Sequence, residues 1–269
     1  MKDAWQGWLG LAVCLSCAAV LIGAVAGGFL DRVAWRAVHG RGCRPAPGPA
    51  RTTACRVAGA LLYLFVLWHY GLTLQALEMA ALASALLVAS VTDLDDCLIP
   101  NGCIAAAVAT RAVYLAACAA LGWEVAPLVR ESLIGAVAVT VPLALLVLVM
   151  DRVLGRPSMG GGDLKLFAVA GLYFGWRQCL FLILVACTLG LVFVLVSQHL
   201  PQRGTDARGR ADGAEPAAGA EPSEPGLPFV AADEPPARAF PFGPSIAAAM
   251  VITMLCGHQV LAWYSALFF

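Results

Sequence analysis

The chain has 269 residues, 61% of them apolar and 13% charged, with a formal net charge of +0 and a mean hydropathy of +0.82. A soluble domain carries roughly half apolar and about a quarter charged residues, so lipid rather than water is the solvent for most of this chain. With the charge balanced, no basic surface argues for nucleic acid. The ten cysteines, mostly inside apolar stretches (Cys14, Cys17, Cys118, Cys179, Cys187, Cys256), read as small hydrophobes rather than a disulfide framework.

A membrane-spanning helix needs about 20 apolar residues. The first such run, Trp8 to Leu30, holds no charge. It is longer than the apolar core of a signal peptide, about 7–15 residues, and predicts an uncleaved helix. Further spans are predicted at 57–74, 76–92, 102–121, 132–150, 178–198 and 242–268. A shorter apolar piece, Leu164 to Trp176, brings the prediction to eight when it is counted as a short span. The expected fold is an all-α polytopic membrane protein. Residues 1–75 form N-terminal helices around a cytoplasmic loop at 32–56, and residues 76–200 with 240–269 form the membrane core. Residues 201–239 are expected to be a disordered cytoplasmic insertion, because a stretch rich in Pro, Ala, Gly, Glu and Asp buries too little apolar surface to offset the entropy of ordering.

Basic residues orient the spans, since loops on the cytoplasmic side carry the excess of Lys and Arg. With the first loop inside, thirteen of the seventeen fall on the cytoplasmic side: Arg32, Arg36, Arg41, Arg44, Arg51, Arg56, Arg152, Arg156, Lys165, Arg203, Arg208, Arg210 and Arg238. Lys2, Arg130 and Arg177 fall outside, and Arg111 lies within a span. Both termini are then external.

Ionisable residues at or within spans are the first functional candidates in such a chain. Asp93, Asp95 and Asp96 close one span and precede Ile99-Pro100-Asn101, while Asp163 follows Met159-Gly160-Gly161-Gly162 and precedes Leu164-Lys165-Leu166. The topology places both clusters on the same side of the bilayer, each at a helix end. Two carboxylates held together do not both ionise freely, so one keeps a proton. Such a pair can activate water with one member and protonate a leaving amine with the other, without metal or covalent nucleophile. Three glycines before Asp163 leave room for a substrate backbone, and Pro100 is expected to help fix a re-entrant bend. An ordinary interfacial turn with helix-capping aspartates would leave the same residues behind.

Asp93-Leu94 with Ile99-Pro100-Asn101 resembles the first aspartate motif of the type IV prepilin peptidases. Gly155 with Met159-Gly160-Gly161-Gly162-Asp163-Leu164-Lys165-Leu166 resembles their second, the G-x-G-D signature. Gly171 to Trp176 is similar to the family's next segment, and Pro241-Phe242-Gly243-Pro244 to the element that opens its last helix. Gly28-Phe29-Leu30-Asp31-Arg32-Val33 is a weaker version of its GSFLNV stretch, with Asp31 where Asn is usual. The elements stand in the family's order and span nearly the whole chain. The resemblance implies a prepilin or pseudopilin leader peptidase of the bacterial inner membrane, serving type IV pili or type II secretion. It cuts at the cytoplasmic face, usually after a glycine, with Asp93 and Asp163 as the catalytic pair. Gly160, Gly161, Gly162, Pro100, Asn101 and Lys165 are then motif residues around the substrate's approach, with Lys165 facing the membrane surface, and Asp95 and Asp96 are bystanders.

Proteolysis of this kind takes no cofactor. Bifunctional relatives carry two CxxC pairs in the first cytoplasmic loop, a tetrahedral zinc site by spacing, and methylate the new N-terminus. This loop offers only Cys43 and Cys55 with His39 nearby, so neither zinc nor S-adenosylmethionine is expected, and methylation is in doubt. His69, His199 and His258 read as interfacial residues and Trp5, Trp68, Trp123, Trp176 and Trp263 as an aromatic belt. Arg111 reads either as a buried partner for a carboxylate or as a lumen-facing residue. An ion- or proton-coupled transporter, or a catalytically silent assembly factor of a secretion machine, would also use intramembrane carboxylates or retain the fold. The expected partners are pilin-like precursors and membrane lipid.

Overall fold

The computed structural model describes residues 2–39, 48–155, 157–199 and 241–268. The 201–239 insertion and Cys43 lie outside the described residues. Among the described residues there are seven α-helices and no strand: α1 (Lys2–His39), α2 (Pro49–Tyr70), α3 (Leu74–Asp96), α4 (Asn101–Ala120), α5 (Ala126–Leu154), α6 (Gly161–His199) and α7 (Gly243–Phe268). All seven are long and apolar enough to cross a membrane. Spanning segments must satisfy every backbone group internally, which is why the apolar runs become helices. They present large apolar side chains outward, Val25, Trp68, Leu145, Val153 and Leu184 among them.

The helices extend past the apolar runs. α1 continues through Arg32 and Arg36 to His39, and α2 already begins at Pro49, so much of the stretch read as the first loop is helical. Pro49 opens α2 where its missing N–H costs no hydrogen bond. Thr73 caps α3, accepting a hydrogen bond from the Ala76 N–H at 3.1 Å. At the other end of α3, Cys97 takes the left-handed conformation (φ 52°) and its N–H bonds the Asp93 carbonyl at 2.9 Å.

The short apolar piece and the span after it are joined in α6. Gly175, at φ 71° and ψ 172°, is the break between them, a conformation open essentially to glycine alone. The neighbours of the two limbs show that the chain doubles back there. Gln178 stands beside Gly257, fourteen residues and about 21 Å along α7 from Gly243. Gly190 stands against the Phe242 ring, next to Gly243 itself. A straight helix would carry Gly190 about 40 Å from Asp163; instead both lie near the start of α7. The expected short span is therefore the first limb, 161–174, and the second limb, 176–199, returns beside it.

Lipid supplies no hydrophobic drive between helices, so close packing does the work, and small residues permit it. Gly23 and Gly27 of α1 meet the α2 backbone: a methyl group on Gly23 would lie 2.9 Å from the Ala60 Cα. Gly135 of α5 meets Gly171 and Gly175 of α6 in the same way, 2.6 Å from the Gly175 Cα to such a methyl. The core lies between α3, both limbs of α6, and α7, with Leu82, Leu182, Ile246 and Met250 fully enclosed.

Arg111 is a buried partner for a carboxylate. Its Nη1 donates to Glu78 Oε1 at 3.0 Å and its Nη2 to Ser132 Oγ at 2.9 Å, with the Tyr114 and Tyr173 rings 5.6 and 5.5 Å away. The Tyr173 hydroxyl in turn donates to the Ala107 carbonyl at 2.8 Å. This network links α3, α4, α5 and the first limb of α6 inside the apolar zone. Each charge there needs the other.

Candidate active site

The last turn of α3, the first turn of α6 and the first turn of α7 converge at one end of the bundle. Asp93, 5% exposed, ends α3 facing inward. Its Oδ2 accepts a hydrogen bond from the Gly243 N–H at 2.8 Å. That N–H belongs to the start of α7, where backbone donors have no partner within the helix and attract a carboxylate. Asp163 lies in the first turn of α6, partly exposed and within electrostatic reach of Asp93. Cys97, in the turn between α3 and α4, records the same neighbourhood. Partial desolvation pushes its exposed thiol up, and the carboxylates of Asp93, Asp96 and Asp163 push it further. The two sequence clusters read as functional therefore share one site.

The glycines before Asp163 are not equivalent. A methyl group on Gly162 would lie 3.0 Å from the Ile99 Cβ, and one on Gly160 would lie 3.3 Å from Asp163 Oδ2, whereas Gly161 has nothing within 4 Å. The space is thus tight at the first and third positions, where a neighbour would have to give by a few tenths of an ångström, and open at the second, which matches the G-x-G-D pattern. Ile99 is itself buried, so the segment after the first aspartate packs directly on the segment before the second.

Pro100 and Asn101 stand differently from expectation. Pro100 (φ −61°, ψ 134°) is the residue before α4, and α4 runs on from Asn101 as a full span. No re-entrant bend forms there; the chain makes a short interhelical turn. Asn101 Oδ1 accepts from Lys165 Nζ at 2.8 Å, so Lys165 is exposed but also ties α6 to α4.

Two partners were not legible as such. Gly243 contributes a backbone N–H, and the sole hint of it was the PFGP element. Asp95, read as a bystander, accepts from Arg51 Nη1 at 2.6 Å, while Arg51 Nε donates to the buried Asp31 at 2.7 Å. Among the described residues no group of three or more His, Cys, Asp or Glu is placed to hold a metal ion. Cys55 is buried on α2 with its carbonyl against Gly27.

A profile of the type IV leader peptidase family matches residues 80–195, which hold both aspartate motifs. The prepilin leader peptidase/N-methyltransferase of Stutzerimonas stutzeri is 26% identical over 234 residues, covering 86% of this chain and 68% of that protein. Over residues 80–195 the chain is similar to the type IV leader peptidase family. Two further members of the same description are 28% identical. That of Pseudomonas aeruginosa aligns over 82% of this chain and 63% of its own length, and that of Pseudomonas putida over 77% and 59%. The chain thus spans about two thirds of the length of the curated relatives it matches. No solved structure matches it. The seven long apolar helices among the described residues, together with this similarity, are those of a multi-pass membrane protein.

Proposed function

We propose that this protein is a prepilin or pseudopilin leader peptidase in which Asp93 and Asp163 form the catalytic pair. The reading rests above all on one observation. The two aspartate motifs and the start of α7 meet at a single end of the bundle, with Asp93 held by the Gly243 N–H. A water between the carboxylates loses a proton to the ionised one while its oxygen attacks the scissile carbonyl. The protonated carboxyl then gives its proton to the departing amine, and the pair ends the cycle with its protons exchanged. The Gly243 N–H fixes one oxygen of Asp93, so the reacting oxygen points consistently.

The substrate in this account is a short basic leader joined to an apolar helix, presented at the cytoplasmic face, and the cut follows a glycine. The basic loops define that face, and both termini are external. Methyl transfer to the new N-terminus is not part of the activity proposed for this chain. Purified protein in liposomes, incubated with a prepilin and a labelled methyl donor, should release the leader and leave an unmethylated N-terminus after the glycine, read by mass spectrometry. An uncut precursor would remove the peptidase reading. A labelled product would show that the methyltransferase activity is retained.

A further inference from the structure

Three helices meet at one guanidinium close to this site. Arg51 lies in the first turn of α2. Its Nε donates to Asp31 Oδ1 on α1 at 2.7 Å, and its Nη1 donates to Asp95 Oδ2 on α3 at 2.6 Å. Asp31 is 1% exposed, and its second oxygen accepts from the Thr52 hydroxyl at 2.8 Å, so both its oxygens are engaged. The α1 end of the bridge is a fixed anchor. The Asp95 end is partly exposed and lies two residues from Asp93.

Residues two apart on an α-helix point about 200° away from each other. Asp93 and Asp95 therefore tether the last turn of α3 from nearly opposite sides, one through the Gly243 N–H of α7 and the other through Arg51 of α2. A helix end held from one side can still rotate and fray. Held from both, it fixes the direction in which the Asp93 carboxylate points. Both bridge contacts are short and charge-assisted, which gives them directional force even where one end is partly solvated.

We propose that Arg51 is a positioning residue for Asp93, acting through Asp95, and that the α1–α2 hairpin is a working part of the peptidase site. The proposal rests on the peptidase reading above. It makes Asp95 more than the bystander that the sequence suggests. It also requires arginine specifically: two nitrogens of one planar fork reach two carboxylates on different helices, whereas the single ammonium of lysine reaches one.

The test is kinetic, on purified protein in liposomes, with folded fraction measured for every variant. Arg51→Ala and Asp95→Asn should lower kcat about tenfold or more while leaving KM within about twofold, because the misplaced group acts in the chemical step. The double variant should be no worse than the poorer single, since both break the same link. Arg51→Lys should fall between Arg51→Ala and wild type. If Arg51→Ala does not fold, Arg51→Lys and Asp95→Asn carry the test. A purely architectural bridge would instead lower the folded fraction and leave kcat per folded molecule at the wild-type value, which would overturn the proposal. Wild type and Asp163→Asn run alongside. If wild type cleaves and Asp163→Asn does not while Asp95→Asn keeps full kcat, only the positioning role fails. If wild type does not cleave, the peptidase reading and the positioning role fail together.

Discussion

Replacing Gly243 with alanine probes the site with the smallest possible change. The new methyl carbon would stand 2.8 Å from Asp93 Oδ2, 2.9 Å from its Cγ and 3.1 Å from its Cβ. Comfortable separations are about 3.5–4 Å, so the carboxylate and the start of α7 must part by roughly 0.5–1 Å. Asp93 is 5% exposed, which leaves no open solvent on its own side to move into, and the hydrogen bond from the Gly243 N–H is strained by the same displacement. A misplacement of about 1 Å in a catalytic constellation costs about 100-fold in rate, which corresponds to about 2.7 kcal/mol of transition-state stabilisation. Initial rates of leader release should therefore fall about 100-fold in Gly243→Ala, with the thermal unfolding midpoint nearly unchanged. Gly102→Ala, where nothing lies within 4 Å, should cleave at wild-type rates. Wild-type kcat in a folded Gly243→Ala protein would refute the claim that this contact sets the position of a reacting carboxylate.

The buried ion pair gives a stability prediction: Arg111→Met alone should destabilise the bundle by about 3–5 kcal/mol, because Glu78 is left buried and unpaired. Glu78→Leu combined with Arg111→Met should recover most of that loss in denaturant unfolding from detergent. Cys97 reports on the carboxylates. With its thiol held above the ordinary value, less thiolate is present at a given pH, so alkylation followed by site-resolved mass spectrometry should be slow and have its pH midpoint shifted upward. Asp163→Asn removes one of the charges that raise it, so alkylation at fixed pH should quicken; an unchanged rate would mean that Asp163 is not near this turn.

Lipid makes the spans easy to read and the partners hard. An apolar run of sufficient length has one favourable fate in a membrane, so every predicted span appears as helix, and the short piece before Trp176 was separable because its apolar run ends at a polar pair. Helix ends were less legible: Arg32, Arg36 and Arg152 sit where polar side chains reach water while the backbone stays helical, so composition changes before structure does. Asp93 and Asp163 stood out because carboxylates at the ends of apolar runs are costly and few. Their surroundings did not. The partner of Asp93 is a backbone N–H, which every non-proline residue carries, and only the PFGP element hints at that of Gly243. Glu78 and Arg111 are thirty-three residues apart, and Asp31, Arg51 and Asp95 lie on three different helices. Only the folded packing shows which opposite charges meet. The open position at Gly161, between two crowded glycines, likewise becomes intelligible only once Ile99 and Asp163 are seen beside its neighbours.

The most direct measurement is leader release from a prepilin by purified Asp93→Asn and Asp163→Asn proteins, each confirmed as folded in liposomes. An amide keeps the size and much of the hydrogen bonding of the carboxylate but can neither take up the water's proton nor hand one to the leaving amine. Each single substitution should abolish cleavage, because in the proposed mechanism the two groups work as one acid–base unit, and the double substitution should be no worse than either single. Normal cleavage by either single variant would contradict the account.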